Sequence, residues 1–203
     1  MRPAVHETEL GPWDPLSLSE VAELFGGCAA PWWIAGGHAI DAFVDRTNRR
    51  EHGDIDIGIL ARDQAVLRVH LADWDLHCAD PPGSLRPWRP GEILEEPVHD
   101  VWARERPGRP WRVQVLLNPA ADATWIYRRD TRIRRDLSEL VWWSVGIPYM
   151  APEVQLLFKS KAVLPKDETD FTDSLPLLSS SQRDWLREKL QLTQPTHSWL
   201  RRL

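Results

Sequence analysis

The fold of this chain is decided by residues 33–57, which read WIAGGHAIDAFVDRTNRREHGDIDI. A short apolar run, 31–35, ends at Gly36-Gly37, and residues 38–44 then repeat apolar side chains at helical spacing. Residues 54–60 alternate carboxylate and isoleucine before becoming apolar, as a strand does. The stretch therefore predicts a strand, a glycine turn, a helix and a second strand.

Asp54 and Asp56 are the first candidates for chemistry. If both lie in a strand, their side chains project from the same face, because side chains alternate along a strand. Two adjacent carboxylates repel each other, and a divalent cation such as Mg²⁺ removes that repulsion most directly. Taken alone, the Asp-x-Asp pattern is also typical of a solvated strand edge or a turn.

The turn at Gly36 and Gly37 is the second candidate. Glycines before a helix leave backbone N–H groups unobstructed at the positive end of the helix dipole, where a phosphate binds well. A tight turn without a ligand is the alternative for a lone Gly-Gly pair. Sixteen residues separate Gly37 from Asp54, and the two features together point to phosphoryl or nucleotidyl transfer.

Further helices and strands are predicted on both sides of residues 33–57. Ser17 and Glu20 have the spacing of a capping box and predict a helix that ends at Gly26-Gly27. Further helices are predicted over 63–74, from Pro152 onward, and over 182–192. A strand is predicted over 76–79, and two hairpins are predicted, one from strands 98–104 and 111–117 and another from strands 125–130 and 131–137. The segment 81–97, rich in Pro, Gly and charge, is expected to be a loop over a site. This order predicts an α+β fold.

The decisive stretch resembles a known family. Residues 33–41, then Thr47, then residues 50–56 look like the signature of small-molecule nucleotidyltransferases of the aminoglycoside adenylyltransferase and lincosamide nucleotidyltransferase kind, within the DNA polymerase beta superfamily. The resemblance continues in residues 146–161 and 166–171, which are similar to the helical half of such proteins. It implies a nucleotidyltransferase-like mixed sheet flanked by helices over residues 1–140, and a helical C-terminal segment over 141–203.

The resemblance also implies roles for individual residues. Gly36 and Gly37 would hold the triphosphate, and Asp54 and Asp56 would bind the metal that bridges it. The basic candidates for nucleotide binding are Arg50, His52, Lys159, Lys161 and Lys166. For His52 and the lysines, structural roles at a strand or helix end remain alternatives, and Asp41 has a structural hydrogen bond as its alternative. Asp167 and Asp170 are expected to cap a helix start.

One position departs from the family pattern. The superfamily commonly carries a third carboxylate on a later strand, whereas the strand 111–117 presents Gln114 there. An amide cannot act as a base. The charged alternative is Asp100 on the preceding predicted strand, and it is our candidate for the third catalytic carboxylate.

Composition limits the remaining function classes. The chain has 203 residues and 25 Lys and Arg against 30 Asp and Glu, a net charge of −5, which argues against a general nucleic-acid binder. No stretch approaches the roughly 18 to 20 apolar residues of a membrane span. Without a secretory signal pattern, we expect a cytoplasmic protein with Cys28 and Cys78 as reduced thiols. Neither cysteine has zinc-ligand spacing.

The function expected from the sequence is transfer of a nucleoside monophosphate, with ATP as the expected donor and Mg²⁺ as the metal, to a hydroxyl of a small molecule. An aminoglycoside-like antibiotic is the expected acceptor. Two alternatives stay open at this point: a toxin-like enzyme that modifies protein or tRNA, and a non-catalytic nucleotide-binding module, which Gln114 permits.

Overall fold

A computed structural model describes residues 8–45 and 51–203. The first helix, α1 (Leu18–Phe25), confirms the predicted capping box, since the Ser17 backbone N–H donates to Glu20 Oε2 at 2.8 Å and the Glu20 N–H donates to Ser17 Oγ at 3.3 Å. After it come β1 (Trp32–Ile34) and α2 (Gly36–Phe43). The predicted strand, glycine turn and helix are therefore present.

Eight strands form the larger sheet of the described residues, in the spatial order β10-β11-β1-β2-β6-β5-β3-β4. Besides β1 they are β2 (Asp56–Leu60), β3 (Asp75–Ala79), β4 (Leu85–Pro87), β5 (Asp100–Arg104), β6 (Val113–Asn118), β10 (Val141–Ser144) and β11 (Ile147–Met150). Strands β1 and β11, and strands β2 and β6, are parallel, and the other neighbours are antiparallel. The sheet is mixed, as expected for the α+β class.

A smaller sheet follows β6 and consists of β7 (Ala120–Ala121), β8 (Thr124–Ile126) and β9 (Arg134–Asp136). The antiparallel pair β8–β9 confirms the hairpin predicted from residues 125–137, with shorter strands. Trp125 is fully buried, and its indole N–H donates to Asn118 Oδ1 at 3.1 Å. This bond ties the small sheet to the end of β6.

The larger sheet buries apolar side chains on both faces. One cluster joins Ile57, Val115 and Val101 to residues of α1 and of α3 (Gln64–His70). The other joins Trp33 and Ile40 to the small sheet and to the C-terminal helices. Those helices are α4 (Pro152–Lys159), α5 (Pro165–Ser174) and α6 (Ser180–Thr193). Neighbouring residues of a strand therefore pack into different hydrophobic clusters, because their side chains alternate between the two faces of the sheet.

Two sequence expectations change in the structure. The hairpin 141–150 pairs with β1 inside the larger sheet, so the helical portion begins at Pro152 and not at residue 141. The division into domains at residue 140 stays a prediction. The larger sheet contains strands from both sides of that residue. Strand β2 begins at Asp56, so Asp54 precedes the strand instead of lying in it.

The segment 8–16 is fixed along residues 111–112, which directly precede β6. Trp13 forms a parallel bridge with Trp111, and the Trp111 indole N–H donates to the Leu10 carbonyl at 2.8 Å. Cys28 and Cys78 are free. No helix within residues 8–45 and 51–203 combines the length and the apolar character that a membrane crossing requires.

Candidate active site

The turn between β1 and α2 lies directly against the first residue of β2. The Ala35 N–H donates to the Asp56 carbonyl at 2.8 Å, and Gly36 has a φ of +65°. A Cβ at Gly36 would stand 2.0 Å from Asp56 Oδ2. Glycine is therefore required here by both backbone conformation and space.

The backbone amides of this turn are not all free for a phosphate. The Gly36 N–H donates to the buried Gln155 Oε1 at 2.8 Å, which joins the turn to α4. No side chain caps the start of α2, and Gly37 lines the adjacent cleft. The expected phosphate contact therefore falls on Gly37 and the following amides of the first turn, while Gly36 provides close approach to Asp56.

Among the carboxylates of the site, that of Asp56 has the most strongly shifted pKa. Burial, then the charge of Asp54, then that of Asp100 raise its pKa to about 8, and the positive charges of Lys159 and Lys166 only partly oppose this. Asp54 is exposed, two residues before Asp56. The charges of Asp54 and Asp100 thus both act on Asp56, and a cation at this position would relieve the repulsion.

Asp100 faces this cluster from β5. The Gln114 amide Nε2–H donates to Asp100 Oδ1 at 2.9 Å. Burial raises the pKa of Asp100, and the hydrogen bond from Gln114 opposes that rise. Gln114 is the register neighbour of Asp56 on the parallel strand β6. The amide at position 114 therefore lies between the metal candidate and the candidate base.

The site fits a divalent metal only together with a ligand. Within the described part of the chain, no group of three or more His, Cys, Asp or Glu side chains is arranged to hold a metal ion by itself. Mg²⁺ is typically bound by one or two carboxylates plus phosphate oxygens and water. Asp54 and Asp56 suit that mode, because Asp56 is half-buried and the charge of Asp54 disfavours its ionised form.

His52 is held by a carboxylate of α2. Its Nε2 lies 2.7 Å from Asp41 Oδ2, and its ring centroid lies 4.1 Å from that of His38. The His52 side chain is 7% exposed and lines the cleft. Asp41 therefore has the structural hydrogen bond considered for it, and the same bond orients His52 toward the cleft.

The three lysines differ in their surroundings. Lys159 Nζ lies 3.0 Å from Asp167 Oδ1 and 2.8 Å from Asp170 Oδ2, so its charge is compensated by α5. Asp167 also accepts the Leu164 N–H at 3.1 Å, which confirms its cap role, whereas Asp170 is buried against Lys159 and does not cap the helix. Lys161 and Lys166 are exposed and line the cleft.

Arg128 was missed as a site residue by sequence reasoning. It lines the cleft, half-buried, and burial lowers its pKa. No residue in 8–45 or 51–203 accepts a hydrogen bond from its guanidinium or forms an ion pair with it. Its neighbour Arg129 instead donates to the Phe158 carbonyl at 2.6 Å. The arginine cluster 128–135 is visible in the sequence, but only the fold shows that Arg128 and Arg129 line the cleft and that Arg129 is also bonded to α4.

These groups surround one cleft of about 550 Å³. Its lining includes Gly36, Gly37, His52, Asp54, Asp56, Trp102, Gln114, Arg128, Lys159, Lys161 and Lys166. Asp100 adjoins it through Gln114, and Arg50 lies outside the described residues. The segment 81–97, expected over a site, contributes no residue to this lining.

Comparison with protein-family models matches the part of the chain that contains the first half of the site. A family model described as aminoglycoside-2''-adenylyltransferase matches residues 17–78, the stretch from the cap of α1 through β3. That stretch contains the glycine turn, His52 and the Asp54–Asp56 pair, but not Asp100, Gln114 or the C-terminal helices. No curated protein sequence matches the chain significantly.

Solved structures share the fold over most of the chain. The crystal structure of the lincosamide antibiotic adenylyltransferase LnuA, lincomycin-bound, has 18% identity and a TM-score of 0.54, and the match covers 79% of this chain and 96% of that one. The solution structure of the antibiotic-resistance factor ANT(2'')-Ia has 15% identity, a TM-score of 0.56 and coverage of 86% and 89%. A crystal structure of ANT(2'')-Ia with adenylyl-2''-tobramycin has 14% identity, a TM-score of 0.53 and coverage of 86% and 95%. The nucleotidyltransferase-like fold expected from the sequence is confirmed.

Proposed function

We propose that this chain is a nucleotidyltransferase that moves AMP from ATP to a hydroxyl of a small-molecule antibiotic. The observation that carries the proposal is the cleft at the start of α2, where the glycine turn meets Asp56. Asp54 lines the same cleft, and the charges of Asp54 and of the adjoining Asp100 both raise the pKa of Asp56. The family match over residues 17–78 supports the same chemistry.

Each group of residues has a distinct role in this proposal. Asp54 and Asp56 hold Mg²⁺ together with phosphate oxygens, and the metal neutralises phosphate charge and aligns the triphosphate when bound. Gly37 and the next amides of α2 bind phosphate at the positive end of the helix dipole. His52, Lys161 and Lys166 add positive charge or hydrogen-bond donors around the phosphates, with Lys159 fixed further back by α5.

Asp100 acts as the base. Its carboxylate accepts the proton of the acceptor hydroxyl while that oxygen forms a bond to the α-phosphorus. The bond from the α-phosphorus to the bridging oxygen breaks, and pyrophosphate leaves. Catalysis of this type depends mainly on positioning and charge neutralisation, which a preformed carboxylate cluster supplies.

The acceptor class is inferred from similarity. LnuA is described with lincomycin and ANT(2'')-Ia with a tobramycin adduct, so lincosamides and aminoglycosides are the first acceptors to test. Asp100 beside the metal candidates weakens the case for a non-catalytic module, since that alternative rested on Gln114 at the expected acidic position. Modification of protein or tRNA has no specific observation in its favour.

Calorimetry and pyrophosphate release test the proposal. Asp54→Asn and Asp56→Asn should each weaken ATP binding in the presence of Mg²⁺ by at least about tenfold, with little effect when Mg²⁺ is absent. Asp73→Asn, at an exposed acid outside the cleft, is the matched control and should bind normally. Wild-type protein should release pyrophosphate from ATP when lincomycin or tobramycin is added.

Two results would contradict the proposal. One is Mg²⁺-dependent ATP binding that is identical in wild-type protein and in folded Asp54→Asn and Asp56→Asn. The other is an absence of transfer to either antibiotic together with labelling of a tRNA or protein from radioactive ATP, which would favour the macromolecular acceptor.

A further inference from the structure

We infer that Gln114 is a positioning residue that fixes the carboxylate of Asp100 for proton transfer, so that the amide completes the catalytic cluster instead of disabling it. The inference rests on the proposed function and assigns a role to a residue that does not itself touch the reacting atoms. It follows from strand register, one hydrogen bond and the charges on either side of position 114.

Strand register places Gln114 in the middle of a row across the sheet. Its Cα neighbour on β2 is Asp56, and its Cα neighbour on β5 is Trp102. Directly opposite residues on neighbouring strands share a face and have Cβ atoms about 4.5–5.5 Å apart. The Gln114 side chain is therefore confined between a carboxylate on one side and an indole on the other.

From this position the side chain reaches diagonally to the next row. Asp100 pairs in register with Leu116, two residues further along β6, and the Gln114 Nε2–H donates to Asp100 Oδ1 at 2.9 Å. Both side chains are partly buried. A hydrogen bond to one carboxylate oxygen limits rotation of the group and leaves Oδ2 to accept a proton.

The Trp102 indole reinforces this arrangement. Its Nε1 is buried and has no hydrogen-bond partner among the described residues. It nevertheless lies near enough to Asp100 to act on that carboxylate. The amide of Gln114 thus donates to Asp100, and the indole of Trp102 lies on the same side of the sheet beside that carboxylate.

Charge explains why an amide suits position 114 better than an acid. A carboxylate there would stand between Asp56 and Asp100, and it would accept hydrogen bonds where Asp100 needs a donor. Like charges at such spacing repel and drive proton uptake by one of the acids. A neutral donor holds Asp100 without adding negative charge to the cluster.

Isosteric variants separate the possible roles of Gln114. Gln114→Met keeps the volume and loses the donor, and Gln114→Glu keeps the shape and replaces the donor with an acceptor. Both should lower kcat by about 10- to 100-fold, the scale expected for a misplaced catalytic group, while calorimetric ATP–Mg²⁺ affinity changes less than about threefold. Gln191→Met, on the exposed side of α6, should have neither effect.

A double-mutant cycle tests the path through Asp100. If Gln114 acts only by fixing Asp100, Gln114→Met should cost little further activity in the Asp100→Asn background, since the base is already lost. Additive losses would overturn the inference. So would a rate gain in Gln114→Glu, which would mean that the position requires an acid, or a selective loss of ATP affinity, which would make Gln114 a nucleotide ligand.

A crystal structure of Gln114→Met provides a readout that does not depend on turnover. The Asp100 carboxylate should then rotate away from its position or occupy two orientations, with the sheet unchanged. An Asp100 side chain in its original single orientation would overturn the inference even in a protein with no detectable transfer. A wild-type protein that transfers nothing would instead count against the proposed function.

Discussion

At the residue scale, Gly36 shows how one position is fixed by two separate constraints. Its φ of +65° is in the left-handed region, where a side chain costs roughly 1–2 kcal/mol. Its missing Cβ also leaves the space that the Asp56 carboxylate occupies, 2.0 Å from where that atom would be. Gly83 shares the first constraint, with a φ of +85°, but a Cβ there would meet nothing within 4 Å.

This difference gives a matched pair of variants. Gly83→Ala should lose about 1–2 kcal/mol of unfolding free energy and keep ATP binding, since only backbone strain is added. Gly36→Ala should lose more stability and weaken ATP–Mg²⁺ binding at least about tenfold, because its methyl group displaces Asp56. Urea unfolding and calorimetry measure both quantities, and equal effects of the two variants on ATP binding would contradict the assigned contact.

At the element scale, the buried ion pairs of Lys159 join α4 to α5. Lys159 is at the last position of α4, and Asp170 on α5 is fully buried against it. Removing one partner of a buried pair typically costs about 3–5 kcal/mol, because the other charge stays desolvated. An exposed pair is worth about 0–1 kcal/mol.

Asp170→Asn should therefore lower the unfolding free energy by about 3 kcal/mol at neutral pH, even though the side-chain volume is kept. Glu188→Gln is the control, since it removes the partner of Lys189 at an exposed position on α6. That variant should change the unfolding free energy by less than about 1 kcal/mol. Equal, small losses in both variants by urea denaturation would mean that the Lys159 cluster does not hold the two helices together.

At the scale of the whole molecule, the carboxylates proposed to bind metal lower the stability of the folded protein as pH rises. Asp56 has an ordinary pKa of 3.8 that the fold raises to about 8. Between these values the folded chain keeps a proton that the unfolded chain has released, so folding loses stability as pH rises through this window. The favourable contribution of the proton is complete below about pH 4 and is gone above about pH 8.

Without metal or nucleotide, Asp56→Asn should match wild-type stability near pH 4 and exceed it increasingly toward pH 8. The difference should grow by at most about 1.4 kcal/mol per pH unit. Adding Mg²⁺ and ATP should stabilise wild-type protein at pH 8 more than the variant, because the wild type binds the pair more tightly. Parallel pH profiles of unfolding free energy for the two proteins would show that Asp56 is not electrostatically strained.

The sequence by itself determined the local elements and the first half of the site. Capping residues, glycines and short-range periodicity are local signals, so the strand, turn and helix around Gly36 and the pairing of Asp54 with Asp56 as candidates follow from residues 33–57. The hairpin of β5 and β6 follows similarly from the two strand-like runs at 98–104 and 111–117.

Only the tertiary structure decided which distant residues complete the site. The register of β2, β6 and β5 places Gln114 beside Asp56 and within hydrogen-bond distance of Asp100, and register is a long-range property that no local pattern specifies. Packing of α5 on α4 likewise compensates the charge of Lys159 with Asp167 and Asp170. Arg128 also belongs to a basic stretch of sequence, but it has no hydrogen-bond or ion-pair partner in the described chain. Burial and neighbouring charge, which set the chemistry of each group, exist only once the chain has folded.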